Sequence, residues 1–204
     1  MARLLEYEKA RILLDKYGIR SVDSKYLLSE KDAAKFAEGG NIAMKAISQK
    51  ALHKTKSGLV MLNVSRDNAE KAFAELSRKA EKYKPYKILG QRMAPSGLEI
   101  IVGGRTDEQF GKLILIGLGG IYVEVFRDFA LRVCPISRHD AEAMIGQLKS
   151  KSVIAKDAGS EHMLVELLLK VSKMLSENDI AELDLNPIIL HDKGYDAVDL
   201  RVMV

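Results

Sequence analysis

The 204-residue chain is 47% apolar and 29% charged, the balance of an ordinary soluble globular protein, with room for one large domain or two small ones. Its 32 basic and 28 acidic residues leave a charge of +4 spread along the chain, which argues against nucleic acid as a partner and suits phosphate or carboxylate ligands. No apolar stretch is long enough to span a bilayer, and the charged N-terminus does not read as a signal peptide. The lone Cys134 reads as a small buried hydrophobe in a reducing compartment rather than a nucleophile, so the chain is expected to be cytoplasmic, with no membrane partner.

Leu5 to Tyr17 has near-helical apolar spacing and is stopped by Gly18 as a C′ residue would stop it. A short strand, Ser24–Leu28, precedes an N-cap signal at Ser29 and a helix to about Glu38. Asn41–Ser48 and Leu59–Val64 read as strands around a polar loop, and Asp67 is expected to cap a long amphipathic helix to Tyr83. Ile88–Met93 and Leu98–Gly103 are strands split by a turn at Ala94–Gly97. Leu113–Ile116, Tyr122–Phe126 and Ala130–Pro135 are three more. Helices follow at Arg138–Leu148 and Glu161–Leu175, joined by a polar stretch, and the end reads as strands Ala181–Leu190 and Ala197–Val204 around a turn. The order is α+β: βαβ-like units first, then a mostly antiparallel block. A soft boundary near Lys84–Lys87 gives residues 1–86 to a small N-terminal lobe and 87–204 to a C-terminal one, with interleaving allowed.

Four features can carry chemistry. His53, in the loop Ala51–Gly58, is either a solvated histidine or one that meets a phosphate. Lys45, inside a strand and flanked by apolar residues, needs water or a partner such as a phosphate oxygen. Gly117-Leu-Gly119-Gly120 is not a dinucleotide fingerprint because no helix signal follows it. Its glycines either admit backbone N–H groups to a phosphate or make a tight hairpin. On Glu182-Leu-Asp184-Leu-Asn186-Pro187, strand alternation aims Glu182, Asp184 and Asn186 at one face, and a hairpin would bring Asp199 beside Asn186. Such oxygen donors suit Mg2+, unless the strand edge simply faces solvent.

The stretch GLEIIVGGRTDEQFGKLILIGLGGIYVEVFRDFALRVCPIS, the loop HKTKSG and the terminal ELDLNPIIL resemble the ATP-grasp subunit of ADP-forming acetyl-CoA synthetases, relatives of succinyl-CoA synthetase, nearly end to end. The resemblance implies an ATP-grasp fold, two α+β lobes with the nucleotide site between them. It implies ATP/ADP and Mg2+ as cofactors and a CoA-binding alpha subunit as partner in a hetero-oligomer. Lys45 matches the lysine on the nucleotide phosphates, Gln91 to Met93 the hinge beside adenine, and Glu99 the acid near the ribose. Asn186 and Asp199 match the Mg2+ pair, with Asp184 as helper. His53 matches the phosphoryl-carrying histidine, and Asp128 and Arg132 fall where polar residues line the phosphate site. The implied reaction interconverts acyl-CoA, ADP and phosphate with free acid, ATP and CoA through a phosphohistidine, given the partner subunit. The chain departs from the pattern after His53, where Lys56, Ser57, Gly58 and Leu59 replace an acid and a Gly-Gly pair. It also lacks an arginine near Ala158, and its segment before Lys45 is short. These departures favour an alternative, a non-catalytic or regulatory paralogue that keeps the partner interface. A carboxylate–amine ligase working alone fits less well, because no acceptor-substrate domain is evident.

Overall fold

The computed structural model describes residues 2–48, 50, 58–120 and 128–204. The chain forms two compact units, one of Val22–Ala94 and one of Met1–Ser21 with Pro95–Val204. The boundary therefore does not fall at 86/87. Lys87–Arg92 is a strand inside the first unit's sheet, and the first 21 residues belong with the C-terminal part.

In the smaller unit, β1 (Ser24–Leu27), α2 (Glu30–Ala37), β2 (Ile42–Ile47), β3 (Val60–Val64), α3 (Arg66–Ala80) and β4 (Lys87–Arg92) build a four-stranded sheet in the order β1-β4-β2-β3. β4 pairs antiparallel with both β1 and β2. β1 and β2 thus run the same way with β4 between them, and the expected βαβ units are split. Ser29 caps α2 as its sequence suggests, its hydroxyl accepting from the Asp32 N–H at 3.2 Å. Asp67 does not cap α3: Ser65 holds the cap position, Asp67 lies in the first turn, and the helix closes in a single 3-10 turn at Glu81–Tyr83. One face of the sheet is sealed by the helices. Ile42, Met44 and Ala46 from β2 pack there with Phe36 and Ala37 of α2 and Ala69, Leu76 and Ala80 of α3.

In the larger unit, α1 (Tyr7–Lys16) ends where Gly18 adopts φ +65°, the left-handed conformation that glycine enters without a Cβ clash. β5 (Leu98–Asp107), β6 (Gly111–Leu118), β7 (Phe129–Val133), β8 (Glu182–His191), β9 (Gly194–Ala197) and β10 (Leu200–Met203) form a six-stranded antiparallel sheet, β10-β8-β5-β6-β7, with β9 on the far half of β8. Three helices accompany it: α4 (Arg138–Gln147), α5 (Lys151–Ile154) and α6 (Ala158–Glu177). Both α4 and α6 open on complete capping boxes, Ser137 with Asp140 and Asp157 with Ser160. Apolar residues run along α6 (Leu164, Leu167, Leu168, Val171, Leu175), and with Ile114, Ile116, Ile100 and Val102 of the sheet they are almost wholly buried. Near the N-terminus, Leu4 bridges Met203 and Leu5 donates its N–H to Val202 O at 2.8 Å, which ties residues 1–21 to β10.

Candidate functional site

Strand alternation divides β8 as its sequence suggests. Leu183 and Leu185 are buried under the helices, while Glu182, Asp184 and Asn186 face the other side. Antiparallel pairing then sets Arg201 opposite Asp184 and Leu200 opposite Leu185. Between β9 and β10 the chain leaves the ladder: Val198 donates to Pro187 O at 3.0 Å and Asn186 donates to Asp199 O at 3.2 Å. This break splits the strand expected over Ala197–Val204, and it is what brings Asp199 beside Asn186. The Asp184 carboxyl is pushed above its usual range, first by burial and then by the charges of Asp199 and Glu182, with Arg201 opposing. Among the described residues no three His, Cys, Asp or Glu side chains gather to hold a metal ion alone. The donor set nevertheless fits a hard divalent cation. Asp184, whose ionisation the Asp199 charge disfavours, shares its strand face with the Asn186 amide, and oxygen donors of this kind are what Mg2+ accepts.

The same sheet face forms a concavity of about 850 Å3. Glu182, Asp184 and Arg105 line it on the β8–β5 side, with Gly103 on β5, and Leu115, Phe129 and Leu131 line it on the β6–β7 side.

Glu99 is the second residue of β5 and is exposed; Gly119 donates its N–H to Glu99 O at 2.8 Å. Asp128 and Arg132 do not join the carboxylate row. Asp128 is buried, and its two carboxylate oxygens accept the backbone N–H groups of Lys149 (2.9 Å) and Ser150 (2.8 Å). Burial opposes its ionisation. The nearby Ser150 hydroxyl, the two backbone donors and the Lys149 charge outweigh that and hold the carboxyl below the usual carboxylate range. Asp128 thus fastens the start of α5 rather than facing the concavity. Arg132 pairs with Ile114, whose side chain is buried on the helix-covered face, whereas its neighbours Phe129 and Leu131 line the concavity. Its guanidinium bonds Leu131 O at 2.8 Å and lies near enough to Asp140 to favour that carboxylate.

In the smaller unit, Lys45 and Gln91 share the sheet face opposite the helices. The register pairs Lys45 with Leu89 and Ala43 with Gln91, and both polar side chains are buried, Lys45 at 6% and Gln91 at 1% exposure. A lysine so enclosed on the helix-free face is not a snorkelling surface residue. Met93 follows β4 and donates its N–H to Asn41 O at 3.2 Å. His53 lies outside the described residues, as does the strand expected over Tyr122–Phe126.

Sequence reasoning also missed a buried pin on the β8–β9 hairpin. His191 Nε2 lies 3.0 Å from Asp196, its Nδ1 accepts the Lys193 N–H at 3.2 Å, and Asp196 pairs with Arg20 at 3.3 Å. The turn residues alone carry no signal for it, because Arg20 is distant in sequence.

An antiparallel sheet with a carboxylate–amide row, together with a second sheet bearing a buried lysine, belongs to a known class. The ATP-grasp domain family matches residues 1–204, and the chain belongs to it. The chain is 38% identical to the ADP-forming acetate–CoA ligase II subunit beta of Pyrococcus furiosus, over 98% of this chain and 91% of that one. It superposes with a TM-score of 0.89, at 32% identity and over 100% of this chain and 93% of that one, on the acetyl-coenzyme A synthetase 1 of Ca. Korarchaeum cryptofilum in complex with coenzyme A, Ca-AMPCP and HgCl+. A second structure of that synthetase matches with a TM-score of 0.84, at 32% identity over 98% of this chain and 92% of that one. It holds coenzyme A and Mg-AMPPCP, with a phosphohistidine segment pointing towards the nucleotide binding site.

Proposed function

We propose that the chain is the nucleotide-binding subunit of an ADP-forming acyl-CoA synthetase, acetyl-CoA being the substrate its relatives' names supply. It converts acyl-CoA, ADP and phosphate into free acid, ATP and CoA, reversibly, together with a CoA-binding alpha subunit. The observation behind this reading is the row of Asp184, Asn186 and Asp199, assembled by strand register and by the Asn186–Asp199 hydrogen bond on one open sheet face. Asn186 and Asp199, with Asp184 beside them, hold magnesium, which supplies charge neutralisation at the nucleotide phosphates. Lys45 binds phosphate oxygens, Gln91 and Met93 contact the adenine, and Glu99 takes the ribose hydroxyls. His53 carries the phosphoryl group, its neutral imidazole being nucleophilic near neutral pH. Phosphoryl transfer asks mainly for positioning and charge compensation, and these side chains supply both. Asp128, whose carboxylate is committed to backbone N–H groups, drops out of this set, and so does Arg132. No helix of the described residues is long and apolar enough to cross a membrane, which accords with work in the cytoplasm. Isothermal titration with ADP and ATP in the presence of Mg2+ tests the reading, followed by synthetase assays with and without the alpha subunit. Absence of Mg2+-dependent nucleotide binding refutes it.

The second reading, a regulatory paralogue, is favoured by Lys56 in place of an acid three residues after His53, by Leu59 where the Gly-Gly pair is lost, and by Ala158 where an arginine is usual. A phosphohistidine at His53 under turnover, seen by mass spectrometry with alkaline handling, eliminates that reading.

A further inference from the structure

Three glycines of Gly117-Leu-Gly119-Gly120 stand where a Cβ would collide, and each collision has a different partner. At Gly117 it would meet Asp128 O at 2.6 Å, and at Gly119 the backbone carbon atoms of Glu99 and Ile100 at 2.9 Å. At Gly120, where φ is +67°, it would meet not backbone but the Glu99 carboxylate, 2.7 Å from Oε2. The end of β6 is therefore pressed between the starts of β5 and β7. Gly119 grips the Glu99 main chain through its 2.8 Å hydrogen bond, and the missing side chain of Gly120 leaves the space in which the Glu99 carboxylate rests. Neither role proposed for this turn by its sequence, a phosphate cradle or a plain hairpin, accounts for a carboxylate seated over Gly120.

We infer that Gly119 and Gly120 are positioning residues for the Glu99 carboxylate, and that through it they set the enzyme's preference for a nucleotide with free ribose hydroxyls. Gly119 fixes the backbone from which Glu99 springs. Gly120 leaves the carboxylate room to lie against backbone, room that a Cβ at that position would take. A side chain at position 120 displaces the carboxylate. The ribose then loses an acceptor for its hydroxyl groups, while the phosphate and metal contacts made by other residues persist. The inference rests on the nucleotide-binding reading above and adds a specificity determinant to it.

The test compares the affinities of the full chain for ADP and for 2′,3′-dideoxy-ADP, both with Mg2+, by isothermal titration. A hydroxyl held by a charged acceptor gives the parent chain a preference for ADP of about tenfold or more. Glu99→Gln removes most of that preference. Gly120→Ala is expected to remove it to a similar degree, and Gly120→Asn likewise, asparagine being the side chain that best tolerates a positive φ and so the safer variant for folding. Gly111→Ala is the strain control: its φ is +76° but nothing lies within 4 Å of its Cβ, so it keeps the full preference. In the Glu99→Ala background, Gly120→Ala adds nothing further to the loss, because the group it displaces is already gone. If Gly120→Ala and Gly120→Asn fold and keep the preference while Glu99→Gln loses it, the positioning role is overturned and the nucleotide site stands. If the parent chain binds no ADP, or Glu99→Gln keeps the preference, the inference falls together with the ribose role of Glu99.

Discussion

Replacing Asp128 with alanine separates a structural carboxylate from a ligand-facing one. The side chain accepts two backbone N–H groups at 2.9 and 2.8 Å, and both donors sit at the turn into α5. A hydrogen bond to a charged group contributes about 1.5–3 kcal/mol, and the two bonds share one carboxylate, so their loss costs about 2–4 kcal/mol rather than the full sum. For a chain of this size that lowers the melting temperature by roughly 4–16 °C. Asp128→Asn keeps one acceptor but turns an amide N–H2 toward the second donor, and falls between. Because the fold depresses the Asp128 pKa, its contribution is fully present above the ordinary aspartate range near pH 4 and is lost as pH falls through the native value. The stability gap between the parent and Asp128→Ala therefore closes on acidification. Urea unfolding at several pH values measures the gap, and amide exchange at Lys149 and Ser150 locates it, since these two amides lose protection first. Affinity for Mg-ATP in the folded variant stays as in the parent. If Asp128→Ala matches the parent in stability within about 0.5 kcal/mol but loses nucleotide binding, the cap assignment is wrong and Asp128 faces the ligand.

Further predictions concern the carboxylate row, a close approach and the hairpin pin. Asp199→Asn should leave the fold intact, or slightly stabilise it by relieving Asp184, while weakening Mg2+-dependent ATP binding at least about tenfold, read by titrating Mg2+ at fixed nucleotide. Gly97→Ala places a Cβ 1.9 Å from Leu190 O, a backbone atom that cannot rotate away, so soluble yield and melting temperature should fall sharply; a parent-like melt contradicts the packing. His191→Ala removes the bond to Asp196 and the acceptor for the Lys193 N–H, and should cost about 1–3 kcal/mol in urea unfolding without changing nucleotide affinity.

Much is readable from local chemistry: the Ser29 cap and the alternation of β2 in the smaller unit and the Gly18 stop in the larger one need only a few neighbouring residues. The carboxylate row is legible for the same reason, since Glu182, Asp184 and Asn186 share a strand. What escapes is set at a distance. Residues 1–21 look like the start of a small lobe until β10 is there to receive Leu4. The place where Ala197–Val204 breaks is decided by Pro187 O and Asn186 on another strand. Arg132 shows how little separates right from wrong on a strand, because a shift of one residue sends a side chain to the opposite face. The resemblance put it where polar residues line the phosphate site, but the exposed Phe129, Leu131 and Val133 occupy the open face. Asp67 and Ser65 compete for one cap within three residues, and helix ends are commonly uncertain by that much.

The pairing of Leu4 and Leu5 with β10 has a consequence for synthesis. A ribosome delivers residues 22–94 as one uninterrupted stretch, and every hydrogen-bonded strand of their sheet is then in hand. The segment ahead of them emerges before them yet waits for Met203, about 200 residues after Leu4, on the order of ten seconds or more at ordinary elongation rates. During that interval α1, which buries Tyr7, Ala10 and Leu14, lacks its β10 neighbour. Within residues 1–204 the first segment is thus among the last to find its place, and it is where a holdase chaperone would be expected to bind.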